Sequence, residues 1–418
     1  MNTYHHWDTS YQYKISESLK LIRLNSKLSL DNLVFKTKVG RKELSLLERG
    51  KLNISLHYCE KIYSSYGFTT YISNETIEIF QKWKNETLLS MIIFDGKARN
   101  LFDNCPVDLY IIEHSPLYID YKILYFILYD DEMSIQEVDN IKKSVLEEDE
   151  LNYFLFKLFY ASYLYSHRKF EKSYNHYRKI KPIYTPNYLA MYYYIGSFIL
   201  DRFFHLEESL ELLDEAKKMF KELGYKQRYY FCVMAKGITL MKLNRYDEST
   251  KAYFETLNYF KDNGLINVEY STVCNIEWNY LLQGKYEEAW ETIKLFPEDI
   301  DKDSFYYFIQ VICLYKEQNY DECSKYIDLC IEHQDRESFN KRYCDLISQA
   351  IRYGENYRYE KQSIMIFEKL LDHCEYSNAR FVALQLYEHY SKKQNLEQME
   401  KWYRIYKSDN IKVDGLKI

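Results

Sequence analysis

Residues 282–293 read LQGKYEEAWETI, and the same pattern returns along the chain. A short polar turn precedes an aromatic or apolar anchor residue, and a small or mid-sized residue follows three positions later, as in Tyr286 and Ala289. The clearest copies have their anchors at Phe170, Leu206, Tyr246, Tyr286, Tyr320 and Leu396, and a weaker copy lies at Tyr357 or Tyr359. The anchors recur roughly every 34–40 residues, which is typical of stacked structural repeats.

Each copy predicts a hairpin of two helices that cannot bury its own apolar stripe. Neighbouring hairpins therefore stack and share a continuous core. The period and the helix–turn–helix pattern are those of tetratricopeptide repeats. The predicted fold class is all-α, with residues 116–418 forming a right-handed superhelix of such repeats around a concave inner wall.

The composition agrees with a helical protein of the cytosol. The 418 residues include only 11 Gly and 5 Pro, so few positions interrupt helices. No apolar run reaches the roughly 18 residues of a spanning helix, and the first residues lack a signal-peptide pattern. Nine cysteines occur without a CxxC pair, which fits a reducing compartment. These features predict a cytoplasmic protein that does not enter a membrane.

A basic segment precedes the repeats. Residues 19–67 hold ten Lys and Arg against four Asp and Glu, although the whole chain carries a net charge of −6. Such asymmetry indicates that this segment meets a polyanion. Four short helical groups are predicted here, at residues 18–27, 30–38, 40–50 and 56–67, with Ser29 and Ser55 as N-caps and a turn at Lys38 and Val39. We predict a helix-turn-helix domain at residues 1–67, followed by a helical connector at residues 68–115.

The basic segment resembles the Cro/C1-type repressor domain. The matching residues are Arg23, Ser29, Leu33, Val39, Arg41, Leu44, Leu47, Glu48 and Gly50. The resemblance implies a structural ion pair between Arg23 and Glu48, and a core position for Leu44 and Leu47. It implies a major-groove face formed by Gly40, Arg41, Lys42, Ser45 and Leu46. The chain departs from that family at Leu30, Val34 and Lys38, where Gln, Ala and Gly are usual.

The order of a Cro/C1-like head and five or more degenerate repeats resembles the RRNPP family of peptide-pheromone receptors, which includes Rap, Rgg, NprR, PlcR, PrgX and AimR types. The resemblance implies a homodimeric transcription regulator that binds double-stranded DNA. A short signalling peptide in the concave groove would switch its DNA affinity. The alternative is an adaptor whose repeats bind a protein partner and whose head is vestigial.

Side-chain amides predict where a peptide would bind, because a carboxamide donates to and accepts from one backbone unit at once. The repeat phase places Asn275, Asn279 and Gln310 on the inner wall, with Tyr194 and Trp278 as possible apolar pocket walls. Asn275 and Asn279 could instead be ordinary surface residues.

The sequence contains none of the common enzyme motifs that we considered. GxGxxG, Walker, HExxH and GxSxG patterns do not occur, so we predict a non-enzymatic protein without a cofactor. The RRNPP resemblance leaves one alternative open, a second phosphatase activity on response-regulator phosphate, for which the sequence identifies no acting residue. Cys323, Cys330 and His333 follow helical spacing, yet a fourth ligand with suitable spacing is missing. Buried core cysteines are therefore predicted rather than a metal site.

Overall fold

The structure is a computed structural model that describes residues 9–51, 64, 67, 72–297, 300–332, 338–373 and 375–408. Within these ranges the chain forms helices joined by short turns and contains no β-strand. The predicted all-α fold class is confirmed.

The helices before the repeats are α1 (Thr9–Asn25), α2 (Leu30–Thr37), α3 (Arg41–Leu47), α4 (Asn74–Ile93), α5 (Ala98–Asp103) and α6 (Leu109–Glu113). The following helices are α7 (Tyr118–Leu128), α8 (Ile135–Ser144), α9 (Glu150–Ser166), α10 (Phe170–Tyr177), α11 (Pro186–Arg202), α12 (Leu206–Glu222), α13 (Lys226–Lys242) and α14 (Tyr246–Asp262). The remaining helices are α15 (Ile266–Leu281), α16 (Tyr286–Glu291), α17 (Ser304–Lys316), α18 (Tyr320–Glu332), α19 (Phe339–Tyr353), α20 (Tyr357–Asp372), α21 (Tyr376–Lys392) and α22 (Leu396–Lys407), with a short 3-10 helix at Thr292–Leu295 after α16.

Every predicted anchor begins the second helix of a hairpin. Phe170, Leu206, Tyr246, Tyr286, Tyr320 and Leu396 are the first residues of α10, α12, α14, α16, α18 and α22. The weaker copy resolves to Tyr357, which begins α20. Two residues before six of these seven anchors, Tyr357 being the exception, the backbone turns through the left-handed region, as at Asn244 (φ 60°) and Gly284 (φ 73°). That conformation reverses the chain, and it explains the polar turn before each anchor.

The small residue after each anchor lets the two helices of a hairpin approach closely. Ser173, Ser249, Ala289 and Cys323 are fully buried. The Ser249 hydroxyl donates to the Gly237 carbonyl oxygen at 2.8 Å, and the Ser173 hydroxyl donates to the Ala161 carbonyl oxygen at 2.7 Å. Each bond reaches the first helix of the same hairpin, so the repeated residue stabilises the hairpin as well as fitting it.

The chain divides into two compact units. Unit 1 comprises residues 1–200 and 215–229, and unit 2 comprises residues 201–214 and 230–418. The core of unit 2 is rich in aromatic side chains, including Trp278, Phe308, Tyr343, Phe381 and Trp402.

The first helix of the head differs from its prediction. It begins at Thr9 instead of residue 18, and it is buried on two sides. Leu19 packs with Leu33, Leu44 and Leu47 in the core of the head, while Leu21 is also buried and Leu24 is half-buried. The second buried side arises because α1 packs against α7 and α8 within unit 1. The predicted helical group at residues 56–67, capped by Ser55, lies outside the described residues except for 64 and 67.

Candidate DNA-binding and peptide-binding sites

The turn between α2 and α3 is built by local capping. Ser29 caps α2, since its hydroxyl accepts a hydrogen bond from the Asn32 amide at 3.1 Å. Lys38 ends α2 in the left-handed conformation (φ 57°), which explains why Gly is usual at this position. Gly40 precedes α3, and its amide donates to the Glu43 carboxylate at 3.3 Å. This arrangement is compatible with the predicted helix-turn-helix.

A buried ion pair joins the first and third helices of the head. The Arg23 Nε and Nη2 atoms donate to the two Glu48 carboxylate oxygens at 2.5 and 2.7 Å. A third bond runs from Arg23 Nη1 to the Leu28 carbonyl oxygen at 2.7 Å. The bidentate geometry fixes the orientation of α3 relative to α1.

The outer face of α3 is basic and open to solvent. Arg41 is 69% exposed, and its Nε atom lies 3.2 Å from the Asp31 carboxylate on α2. Gly40 and Lys42 are also exposed, whereas Ser45 and Leu46 are half-buried. An exposed ion pair contributes little free energy, so the Arg41 guanidinium can exchange Asp31 for another anion. The exposed cations of this region are Lys27, Lys36, Lys38, Arg41, Lys42, Arg49 and Lys51.

A buried charge cluster holds α1 against the helices that follow the head. The Asp120 carboxylate lies 2.5 Å from Lys14 Nζ and 2.7 Å from Lys84 Nζ. Asn152 Nδ2 donates to the same carboxylate at 2.7 Å. Burial by itself would raise the pKa of Asp120, but the two ammonium groups hold that pKa well below its usual range. The cluster therefore joins α1, α4, α7 and α9 through one ionised side chain.

Further polar contacts extend this junction along α1. The Ser18 hydroxyl donates to the Pro116 carbonyl oxygen and accepts from the Ile119 amide, at 3.2 and 3.1 Å. Asn25 Nδ2 donates to the Tyr118 hydroxyl at 3.1 Å, and Asn25 Oδ1 accepts from Asn140 at 2.9 Å. The first helix of the head is thus also a structural helix of unit 1.

The predicted peptide-binding amides in unit 2 lie deeper than the sequence indicates. Asn279 is fully buried and donates to the Tyr246 carbonyl oxygen and the Thr250 hydroxyl, at 3.1 and 2.6 Å. Gln310 is also buried, and its Nε2 atom has no hydrogen-bond partner among the described residues. These positions disagree with an inner wall that is open to a ligand, because other helices cover both side chains.

Trp278 does not form an open pocket wall. Its side chain is only 5% exposed, and its ring lies 5.1 Å from the Phe381 ring and 5.7 Å from the Phe305 ring. The expected place of a ligand beside Trp278 is taken by Phe381 of α21. The repeat pattern of α15 does not predict this contact, because α21 lies about 100 residues further along the chain.

Asn275 and Tyr194 remain accessible. Asn275 is half-buried on α15 in unit 2. Tyr194 is half-buried on α11 in unit 1, where the Arg228 guanidinium carbon lies 5.4 Å from the centre of its ring. Arg228 in turn donates to the Ile92 and Met91 carbonyl oxygens at 2.6 and 2.7 Å. The structure therefore places these two predicted residues in different units.

Glu277 is a buried acid that the sequence reasoning missed. Its side chain is 0% exposed, and neither carboxylate oxygen has a partner within the described ranges. Burial raises the pKa of Glu277 well above its usual value, because the charged carboxylate would lose its hydration there. The sequence contained a signal for this buried acid, because Glu277 interrupts the buried face of α15. That face is formed by Tyr270, Val273, Cys274 and Leu281.

Six of the seven cysteines that the structure describes are buried packing residues, and Cys105 is half-buried. Cys323 and Cys330 are fully buried, and the Cys330 thiol donates to the Ser304 carbonyl oxygen at 3.4 Å. Among the described residues there is no group of three His, Cys, Asp or Glu side chains that could hold a metal ion. His333 lies outside the described residues.

Comparisons with solved structures place the fold. No family model and no curated protein matches this chain. A Rap protein complexed with Competence and Sporulation Factor matches with a TM-score of 0.63 and 15% identity, over 81% of this chain and 98% of that chain. The apo quorum sensor NprR from B. thuringiensis matches with a TM-score of 0.52 and 17% identity, over 79% and 98%. This chain has the fold of the Rap and NprR proteins.

A third solved structure has the same fold. The Rap conjugation gene regulator of plasmid pLS20, in complex with the Phr* peptide, matches with a TM-score of 0.51 and 16% identity, over 82% of this chain and 96% of that chain. Identities this low show the shared fold, which is the tetratricopeptide-repeat fold expected from the anchors. Among its described residues, the present chain contains no helix that is both long enough and apolar enough to span a bilayer.

Proposed function

We propose that this chain is a cytoplasmic, homodimeric, non-enzymatic transcription regulator whose affinity for double-stranded DNA is switched by a short signalling peptide. In this proposal residues 1–67 bind DNA, and residues 116–418 bind the peptide and dimerise. Residues 68–115 form the helical connector between these two domains. Gly40, Arg41, Lys42, Ser45 and Leu46 form the DNA-contacting face.

One observation carries the DNA-binding part of the proposal. The exposed side of α3 carries Arg41 and Lys42, while its opposite side is fixed by Leu44, Leu47 and the Arg23–Glu48 pair. A guanidinium can donate two hydrogen bonds to guanine, and an ammonium can reach a base or a phosphate. A rigid basic helix is therefore available for a DNA groove.

The peptide part is supported by the shared fold. Solved structures of this fold include the pLS20 Rap regulator bound to the Phr* peptide. We propose Asn275 as a peptide contact in unit 2 and Tyr194 as a peptide contact in unit 1, because each side chain is partly accessible. Asn279, Gln310 and Trp278 could join them only after the covering helices move.

The switch requires the peptide to bind one arrangement of the repeats better than another. A coupling free energy of about 1–3 kcal/mol changes DNA affinity about 5- to 150-fold. The buried cluster at Asp120 supplies a path for this coupling, because a movement of α7 or α9 moves α1. In a dimer the two heads bind well only when their spacing matches half-sites about 34 Å apart.

A DNA-binding titration tests the head. We would measure the affinity of the full chain for the duplex upstream of its own gene by fluorescence anisotropy at several salt concentrations. Arg41→Ala/Lys42→Ala should weaken binding at least about tenfold and flatten the plot of log affinity against log salt. The matched control is Lys143→Ala/Lys172→Ala, which removes two exposed charges outside the head. Equal affinity of the Arg41/Lys42 variant and the parent would refute the groove assignment.

Thermal melts test the peptide part separately. A peptide present at 100 times its dissociation constant should add about 2.7 kcal/mol to the free energy of unfolding. We would screen a library of short hydrophobic peptides and repeat each positive melt with Asn275→Ala. A chain that ignores every peptide but is stabilised by a protein partner would instead be the adaptor.

A further inference from the structure

Helix α21 crosses the turns of five successive hairpins, and all five of these turns lie in unit 2. Its first residue, Tyr376, has its ring 4.8 Å from the ring of Phe204, which lies in the turn after α11. One turn later, Arg380 Nη1 donates to the carbonyl oxygen of Lys242, the last residue of α13, at 2.7 Å. The other end of the same guanidinium donates to the Ser408 carbonyl oxygen at 2.8 Å.

The next contacts lie at the turn after α15. A Cβ added to Gly284 would lie 3.5 Å from a Glu388 carboxylate oxygen and 4.0 Å from Leu384. Gln385 Nε2 donates to the Tyr286 hydroxyl at 2.9 Å, and that hydroxyl donates to Glu388 at 2.7 Å. The side chain of Tyr286 therefore binds this turn to two successive turns of α21.

The last contacts lie at the turns after α17 and α19. Glu388 forms an ion pair with Lys316, the last residue of α17. His389 is buried, and its Nδ1 and Nε2 atoms lie 2.9 and 3.0 Å from the carboxylates of Glu355 and Glu360. Each ring nitrogen faces a carboxylate, so the imidazole bridges Glu355 in the turn and Glu360 in the first turn of α20.

These contacts follow the order of the hairpins. Positions 376, 380, 385, 388 and 389 meet the turns after α11, α13, α15, α17 and α19 in that sequence. A helix rises 1.5 Å per residue, so these positions cover only about 20 Å. Five parallel hairpins separated by helix-packing distances of about 8–10 Å would spread their turns further than that. The turns must converge towards α21.

We propose that α21 is a strap that sets the curvature of unit 2, and that its polar contacts are the part that can release. The apolar contacts of the strap, such as Phe381 on Trp278, are short-range and persist only while the turns stay converged. Releasing the polar contacts lets the turns separate while each hairpin keeps its own core. This inference does not depend on the proposed function.

Hydrogen exchange of the full chain tests the strap. The release variant is Glu388→Gln/His389→Gln, which removes the carboxylate that pairs with Lys316 and the imidazole that lies between Glu355 and Glu360. Amides of α21 should exchange at least about tenfold faster, the change that the loss of one charge-assisted bond of about 1.4 kcal/mol produces. Peptides that cover the remote turns at 282–285 and 317–319 should also exchange faster, and small-angle scattering should give a larger radius of gyration.

Two comparisons keep the result decisive. Glu400→Gln/Arg404→Gln removes an exposed pair on α22 and should change neither readout. Lys316→Met/Glu388→Leu removes both partners of one strap contact, so it releases the strap without leaving a buried unpaired charge. Faster exchange confined to residues 376–408 would show a frayed terminal hairpin, and uniform loss of protection across unit 2 would show general destabilisation. Either outcome would overturn the strap.

Discussion

Arg23 and Glu48 illustrate how a single buried pair positions α3, the helix that we propose binds DNA. Both side chains are almost completely buried and satisfy each other through two hydrogen bonds. We expect Glu48→Ala to lower the free energy of unfolding by about 3–5 kcal/mol, because it leaves the Arg23 guanidinium buried without its carboxylate. Urea denaturation of the full chain measures this loss.

The paired replacement Arg23→Met/Glu48→Leu separates the pair from its packing. It removes both charges and should cost much less than Glu48→Ala. Arg41→Ala is the control, since its exposed ion pair with Asp31 contributes only about 0–1 kcal/mol. Equal stability of Glu48→Ala and Arg41→Ala would show that the pair does not hold α3.

Glu277 predicts an unusual dependence of stability on pH. The folded protein keeps the Glu277 proton at pH values where the unfolded chain has lost it, because burial raises the pKa of this carboxyl. The free energy of unfolding should therefore fall as pH rises above about 4.3, the pKa of an exposed Glu. Glu277→Gln removes this pH dependence. The free energy of unfolding of the variant should therefore rise relative to that of the wild type by about 1.4 kcal/mol per pH unit, until the pH reaches the pKa of Glu277 in the folded protein.

Urea denaturation at pH 5, 6, 7 and 8 measures that gain. The control is Glu291→Gln, because Glu291 is exposed and pairs with Lys294 at the surface. If the free energies of unfolding of Glu277→Gln and the wild type differed by a constant amount across this range, the Glu277 carboxyl would have a charged or hydrogen-bonding partner in solution.

At the scale of elements, α1 belongs to the head and to unit 1 at once. Asp120→Asn leaves Lys14 and Lys84 buried without a carboxylate. We expect this change to lower the free energy of unfolding by about 3–5 kcal/mol, as measured by urea denaturation. Asp131→Asn is the control, since its pair with Arg99 is exposed. If the two variants unfold alike, α1 is not anchored through this cluster.

The sequence predicted the hairpins well because their signal is local. An anchor, a small residue and a turn lie within a few positions of one another, and each anchor indeed begins a helix. The start of α1 was missed, since residues 9–17 carry Ser16, Glu17 and Lys14, which look exposed until Asp120 and Leu146 are brought beside them. The burial of Trp278, Asn279 and Gln310 could not be predicted either, because it depends on contacts between helices distant in sequence.

At the scale of the whole molecule, the junction around α1 bears on whether the head is an independent domain. Leu21 and Ser18 are buried in unit 1, and Lys14 pairs with Asp120, which lies about 100 residues away in sequence. A fragment of residues 1–67 would expose these groups to water. Each fully buried aliphatic side chain that loses its contacts forfeits about 1.5–3 kcal/mol, a large share of the stability of so short a segment.

We therefore expect the fragment of residues 1–67 to show low helicity by circular dichroism and no cooperative melt. A fragment of residues 1–229 should melt cooperatively, because it retains α7, α8 and α9 and all of unit 1. The same two fragments, titrated with the upstream duplex, should differ in DNA affinity in the same direction. A short fragment that melts cooperatively and binds DNA as tightly as the full chain would mean that the head folds alone, and that the Asp120 cluster only attaches it.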